Sequence, residues 1–264
     1  LIRRQRQMCI RDRNTLQVRE SYELPAELVK AQIEAVAEDI GVDAAKTGML
    51  ASKAIVEAVA EALEKYSFPL VVDPVMVSKS GSVLLKPEAI EALKHRLLPK
   101  ALLVTPNKSE AESHSGFKIE NPGDAAEAAK KIASETGVKA VLVKGGHLEG
   151  EESIDLLLYK NEFFHYRAPR FKTRSLHGSG CSFSAAITAW LAKGESLPEA
   201  VAKAKNFITE AIRFGLSVGR GFSPVNPSAW VEIPAEKFRV LSALSEAVRK
   251  IEAEGETFAA LAPE

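Results

Sequence analysis

Four times between Leu24 and Val143, a stretch of helical hydrophobic spacing gives way to a short apolar run that ends in a polar or glycine-rich turn. The first helical stretch begins at Pro25, carries Val29, Ile33, Val36 and Ile40 at helical intervals, and stops at Gly41. Asp43 to Thr47 then reads as a strand leading into Gly48. Ile55, Val59 and Leu63 mark a second helix, followed by the apolar run Phe68 to Val72 and the turn Asp73-Pro74. A helix from Pro87 to Leu97 precedes a strand from Ala101 to Val104 and the turn Thr105-Pro106-Asn107. A helix from Pro122 to Thr136 precedes a strand from Ala140 to Val143 and the turn Lys144-Gly145-Gly146. This alternation predicts an α/β fold, a parallel sheet with helices on both faces. Ligands of such sheets bind beyond the carboxyl ends of the strands, so the four turns converge on one candidate site.

After the fourth turn, Ser153 to Tyr159 and Glu162 to Tyr166 read as an antiparallel hairpin turning near Lys160-Asn161. Gly178-Ser179-Gly180-Cys181 precedes a helix expected over Ser184 to Ala192, and a longer helix is expected from Pro198 to Gly215. The glycine- and proline-rich stretch Gly219 to Pro227 ends the domain. Beyond Pro234, the residues Phe238, Leu241, Leu244, Val248 and Ile251 mark one more amphipathic helix.

Composition narrows the class of protein. The 264 residues are 46% hydrophobic and carry a formal net charge of zero. A sizeable core is therefore available, and nothing global favours a nucleic acid or an acidic membrane as partner. Two cysteines, Cys9 and Cys181, cannot make a disulfide framework and suggest a reducing, cytoplasmic setting. No apolar run approaches the roughly 18 residues of a membrane span, and no secretory apolar segment follows the basic start. Residues 1–13 are dense in arginine without helical or strand period. They read as foreign or disordered sequence in preference to a nucleic-acid arm or a transit peptide.

The residues that carry chemistry sit in the turns. In Gly178-Ser179-Gly180-Cys181, two glycines let backbone N–H groups approach an anion at the positive end of the following helix. A thiol at position 181 is expected to have a lowered pKa there and to take a proton from a hydroxyl; a plain turn with a buried cysteine is the alternative. Asp73 is either a cation-binding carboxylate or a turn cap. Asn107 and Glu110 have the spacing of a capping box, and Glu110 is alternatively an acid near a magnesium–phosphate cluster. Lys144 is either a phosphate ligand or a solvated lysine. Met49 suits packing over a planar ring or burial in the core. His147 and His177 lack partners at metal-ligand spacing.

As an ordered set these segments are more specific than any one of them. Lys46-Thr47-Gly48-Met49-Leu50, Asp73-Pro74-Val75-Met76, Thr105-Pro106-Asn107 with Glu110, Val143-Lys144-Gly145-Gly146-His147 and His177-Gly178-Ser179-Gly180-Cys181-Ser182 follow one another. Their order and spacing resemble the hydroxymethylpyrimidine/phosphomethylpyrimidine kinases, over about residues 14–227. The resemblance implies a ribokinase-like three-layer α/β/α domain over residues 14–230 with a mostly parallel central sheet. It implies MgATP-dependent phosphorylation of 4-amino-5-hydroxymethyl-2-methylpyrimidine and then of its monophosphate. Cys181 is then the base facing the substrate hydroxyl, and Gly178, Ser179 and Gly180 the anion hole. Asp73 and Glu110 are the magnesium and phosphate-positioning acids. Asn107, Lys144 and Gly146 are nucleotide contacts, and Gly48, Met49 and Val75 line the pyrimidine. Ser78 to Leu85 is the mobile loop near the phosphates. The partners implied are the small pyrimidine and ATP, with a homodimer in the complete protein. Two readings compete: a pyridoxal kinase of the same fold, and a non-catalytic pyrimidine or nucleotide sensor.

The resemblance fails at the start. Relatives open with a strand, a glycine- and serine-rich turn and a helix; here the first strand and helix are missing, and Arg13 stands where a pyrimidine-binding glutamine is expected. Loss of a central strand is expected to leave two neighbouring strands with unpaired edges and to impair turnover. Residues 234–264 resemble the opening of a thiamine-phosphate synthase-like domain, the alternative being an ordinary terminal helix.

Overall fold

A computed structural model describes residues 9–13, 15–16, 18–76, 84–145 and 150–253. Two strands, β1 (Cys9–Arg13) and β2 (Val18–Glu23), form an antiparallel pair of their own. Hydrophobic period in residues 1–13 does not announce β1. Its pairing rests on backbone groups, which almost any sequence supplies.

A six-stranded sheet holds β3 (Ala45–Thr47), β4 (Leu70–Val72), β5 (Leu103–Val104), β6 (Ala140–Val143), β7 (Glu152–Tyr159) and β8 (Glu162–Pro169), in chain order. Strands β3 to β6 are parallel, and β7 and β8 add antiparallel. The β7–β8 turn takes positive φ at both Lys160 (51°) and Asn161 (63°), the backbone of the tight hairpin turn whose twist matches its strands. The strands of the described sheet are contiguous. Its edges are therefore β3 and β8, without the gap between two strands that the sequence suggests.

Helices α1 (Ala26–Asp39), α2 (Lys53–Ala62), α3 (Pro87–Ala92), α4 (Lys108–Ser115) and α5 (Pro122–Thr136) carry apolar side chains into one core. Helices α6 (Ser179–Ala192) and α7 (Leu197–Arg213) do so into another. The period-two alternation of the sheet feeds both. Val72, Val104, Val141 and Val143 enter the first core, and Val71, Leu103, Ala140 and Leu142 the second. The result is the expected three-layer α/β/α arrangement.

Two helix starts differ from expectation. Helix α6 begins at Ser179, five positions before Ser184, because Gly178 takes a left-handed conformation (φ 80°) and turns the chain straight into the helix. A first turn needs no apolar period to form. Helix α8 (Ala229–Ala253) starts ahead of Pro234 and contains it. Proline near a helix start removes one main-chain bond and is tolerated there better than deep in the interior. The apolar stripe of α8 stays exposed, Phe238 at 75%.

Leu142 is fully buried between the sheet and the α6–α7 layer. Leu142→Ala is expected to lower unfolding free energy by about 2–5 kcal/mol in urea titrations. A loss below about 1 kcal/mol would contradict this packing.

Candidate active site

Each parallel strand delivers a functional residue at its carboxyl end. Asp73 follows β4 and is 1% exposed. Its Oδ1 accepts from the Lys144 ammonium at 2.8 Å and from the Thr105 hydroxyl at 3.3 Å; its Oδ2 lies 3.4 Å from the Ser184 hydroxyl. Lys144 follows β6, where its main-chain N–H donates to Pro106 O at 2.9 Å. Three strand ends and α6 thus meet on one carboxylate. Burial alone raises the pKa of Asp73, but the charges of Lys144 and Lys46 and the two hydrogen bonds outweigh it and hold the carboxyl below its usual range. Burial likewise disfavours the Lys144 ammonium, and Asp73 and Glu110 reverse that, so it stays charged.

The turn before α6 closes the site. Gly180 has no Cβ, and one built there would lie 3.2 Å from Lys144 Nζ. The lysine head therefore lies directly beneath the Gly178–Cys181 turn. Ser179 N–H donates back to Leu176 O at 3.2 Å; the N–H groups of Gly180 and Cys181, in the helix's first turn with no carbonyl one turn back, form one electropositive seat with the ammonium.

Glu110 and Asn107 do make the capping box of α4: Glu110 N–H donates to Asn107 Oδ1 at 3.0 Å, and Asn107 N–H to Glu110 Oε2 at 2.8 Å. Glu110 is nonetheless buried at the site. Burial raises its pKa, against Lys144 and the Asn107 N–H, and Asp73 adds to the rise. Structural cap and site acid are therefore one residue. Gly48, Met49 and Val75 lie just past β3 and β4 on the same rim. Gly146 and His147 lie outside the described residues, as do positions 78–83 of the expected phosphate loop. That loop's far end is tied back by Leu84 and Leu85 N–H groups donating to Met76 O.

The sequence profile described as phosphomethylpyrimidine kinase matches residues 8–226. The chain belongs to that family. It is 44% identical over 213 residues to the hydroxymethylpyrimidine/phosphomethylpyrimidine kinase of Streptomyces coelicolor, covering 81% of this chain and 78% of the relative. The crystal structure of the phosphomethylpyrimidine kinase of Clostridium difficile 630 is 45% identical with a TM-score of 0.68, covering 78% of this chain and 84% of the other. The pyridoxal kinase of Staphylococcus aureus in complex with AMP-PCP and pyridoxal is 36% identical with a TM-score of 0.77, covering 85% of this chain and 81% of the other. The fold is ribokinase-like, as the resemblance implied.

Cys181 is the third residue of α6, and here the structure reverses an expectation. The thiol pKa is raised, not lowered. Burial is the larger cause, although the residue keeps an exposed face, and the neighbouring Asp73 carboxylate adds to it. Lys46 and Lys144 pull the other way and do not prevail. The helix terminus favours an anion, but a buried aspartate beside the sulfur disfavours a second negative charge.

Lys46 and Ser184 belong to the site and went unassigned in the sequence. Lys46 Nζ donates to Ser184 Oγ at 3.3 Å, and Ser184 Oγ lies 3.1 Å from Cys181 O and 3.4 Å from Asp73 Oδ2. Its single proton serves one of those acceptors at a time. Ser184 stands three residues after Cys181, a spacing that shares a helix face; that was the available signal. Lys46 opens the same segment as Gly48 and extends over it, since a Cβ on Gly48 would lie 3.1 Å from Lys46 Nζ.

In a Cys9→Ser background, iodoacetamide alkylation of Cys181 is expected to show a pH midpoint above that of free cysteine, and Asp73→Asn is expected to lower it. A midpoint below free cysteine, or one indifferent to Asp73→Asn, contradicts the assignment.

Proposed function

We propose that this chain transfers the γ-phosphoryl group of ATP to 4-amino-5-hydroxymethyl-2-methylpyrimidine and then to its monophosphate, supplying the pyrimidine diphosphate for thiamine synthesis. One observation carries the reading: the buried Asp73–Lys144 pair lies against the Gly178–Cys181 turn at the carboxyl end of a parallel sheet, in a chain 44% identical to a kinase of that name. Phosphoryl transfer asks chiefly for positioning and charge stabilisation. The Lys144 ammonium and the first-turn N–H groups of α6 offer both to the transferring phosphate.

Gly48, Met49 and Val75 hold the pyrimidine, and Asn107, Lys144 and Gly146 the nucleotide. The substrate hydroxyl oxygen attacks the γ-phosphorus, the bond to the bridging oxygen of ADP breaks, and the hydroxyl proton passes to the sulfur of Cys181, whose own proton has first left to solvent. A thiol with a raised pKa is scarce as thiolate but strongly basic once formed. Magnesium fits the acids present. Asp73 and Glu110 are two neighbouring carboxylates whose oxygens already accept protein hydrogen bonds. That suits a cation held mostly by phosphate and water, with one or two carboxylates beside it. When bound, it neutralises charge on the phosphate oxygens.

The sensor reading loses support from the intact Asp73, Lys144 and Cys181. The pyridoxal kinase reading keeps one specific observation, the TM-score of 0.77 to the Staphylococcus aureus enzyme. No helix of the described residues is long and apolar enough to cross a membrane. We also read residues 234–264, whose described part lies in α8 with its apolar stripe exposed, as the start of a second, thiamine-phosphate synthase-like domain.

ATP-dependent turnover of the pyrimidine alcohol, its monophosphate and pyridoxal by the same preparation tests the reading. The alcohol and its monophosphate are expected to exceed pyridoxal in kcat/KM, and Cys181→Ala to cut pyrimidine turnover by about 10²–10⁴-fold. A preference for pyridoxal, or full activity in Cys181→Ala, overturns it.

A further inference from the structure

A second buried ion pair lies outside the residues that face substrate. Lys205 is 6% exposed and stands in the apolar stripe of α7, among Val201, Ala204 and Ile208. Its ammonium lies 2.7 Å from Asp155 Oδ2 and 3.2 Å from Ser153 Oγ. Asp155, 3% exposed on β7, spends its other oxygen on the main chain: Oδ1 accepts from the N–H of Gly145 at 2.8 Å. Burying two charges costs stability that a pair of matched apolar residues would not. The bond to Gly145 is what such an apolar pair could not make.

Gly145 directly follows Lys144, and its α-carbon presses on the neighbouring strand. A Cβ there would stand 1.7 Å from Ile154 O and 2.7 Å from Ile154 C. Its φ is not in the left-handed region, so glycine is required by this close approach alone. The Lys144 backbone is thus held on both sides, by Pro106 O on its own N–H and by Asp155 on the next. From that anchored backbone the side chain reaches Asp73 and the turn before α6.

We propose that Asp155, fixed by Lys205, is a positioning residue: it sets the height of the Lys144 ammonium under the Gly178–Cys181 turn and thereby governs nucleotide affinity, not pyrimidine affinity. This rests on the nucleotide-phosphate role proposed for Lys144. The carboxylate acts at one remove, through a main-chain bond. The chain geometry gives α7 a hand in the phosphate site without touching a ligand. Displacing a phosphate-binding group by a fraction of an ångström to an ångström is costly because such sites depend on position.

The test compares neutral replacements that avoid leaving a lone buried charge. Asp155→Asn with Lys205→Met retains an acceptor for the Gly145 N–H; Asp155→Leu with Lys205→Met removes it. Calorimetry measures binding of magnesium with AMP-PCP, and separately of the pyrimidine alcohol, to the full chain. The asparagine–methionine variant is expected to keep AMP-PCP affinity within about threefold of the parent, and the leucine–methionine variant to lose about tenfold or more with pyrimidine affinity unchanged. Parent-like AMP-PCP binding in a folded leucine–methionine variant overturns the proposal, as does an equal loss of both ligands. Should that variant not fold, Asp155→Ala with Lys205→Met, which also removes the acceptor, is read the same way: selective loss of AMP-PCP supports the proposal, and equal loss or none overturns it. Lys144→Met separates the two layers of argument. If it leaves AMP-PCP binding intact, the nucleotide role of Lys144 fails; if it weakens binding while the Asp155 variants do not, only the positioning role fails.

Discussion

The contact between Asp73 and Lys144 organises the site. A carboxylate 1% exposed and the ammonium of a side chain 13% exposed meet at 2.8 Å, where burial works against either charge and the partner offsets it. Every neighbouring feature serves that pair. Thr105 and Ser184 supply hydroxyls to the aspartate, Gly180 leaves room above the lysine, and Pro106 O holds the lysine backbone. The parallel sheet is the means of assembly. Residues 73, 105 and 144 are far apart in the chain, and only adjacent parallel strands bring their ends together.

The same pair explains why the cysteine behaves differently from a thiol at an ordinary helix start. Burial of the sulfur, and after it the negative charge at Asp73 alongside, favour the neutral thiol in the free enzyme. Glu110 shows a related economy. Its carboxylate caps α4 and still faces the site, so its capping bonds and its place among the acids are a single arrangement.

Much of this was legible in the chain. Short apolar runs ending at Asp73, Thr105 and Lys144 gave both the parallel sheet and the convergence of its turns. Helix α5 and strand β6 run as their periods indicate. What was not legible depends on distance in space. The direction of the Cys181 shift follows first from burial and then from an aspartate 108 positions earlier in the numbering, neither of which a local pattern reveals. Ser184 lay inside a helix expected to start there, so the face it shares with Cys181 was hidden. The pairing of β1 with β2 uses backbone groups that carry no side-chain signature.

The central claim is that the pair and the turn above it receive one triphosphate. A crystal structure of the chain with magnesium and AMP-PCP tests it most directly. Phosphate oxygens are expected within hydrogen-bond distance of Lys144 Nζ and of N–H groups in the Gly178–Cys181 turn. A triphosphate bound elsewhere, with the Asp73–Lys144 contact left facing water, would contradict it.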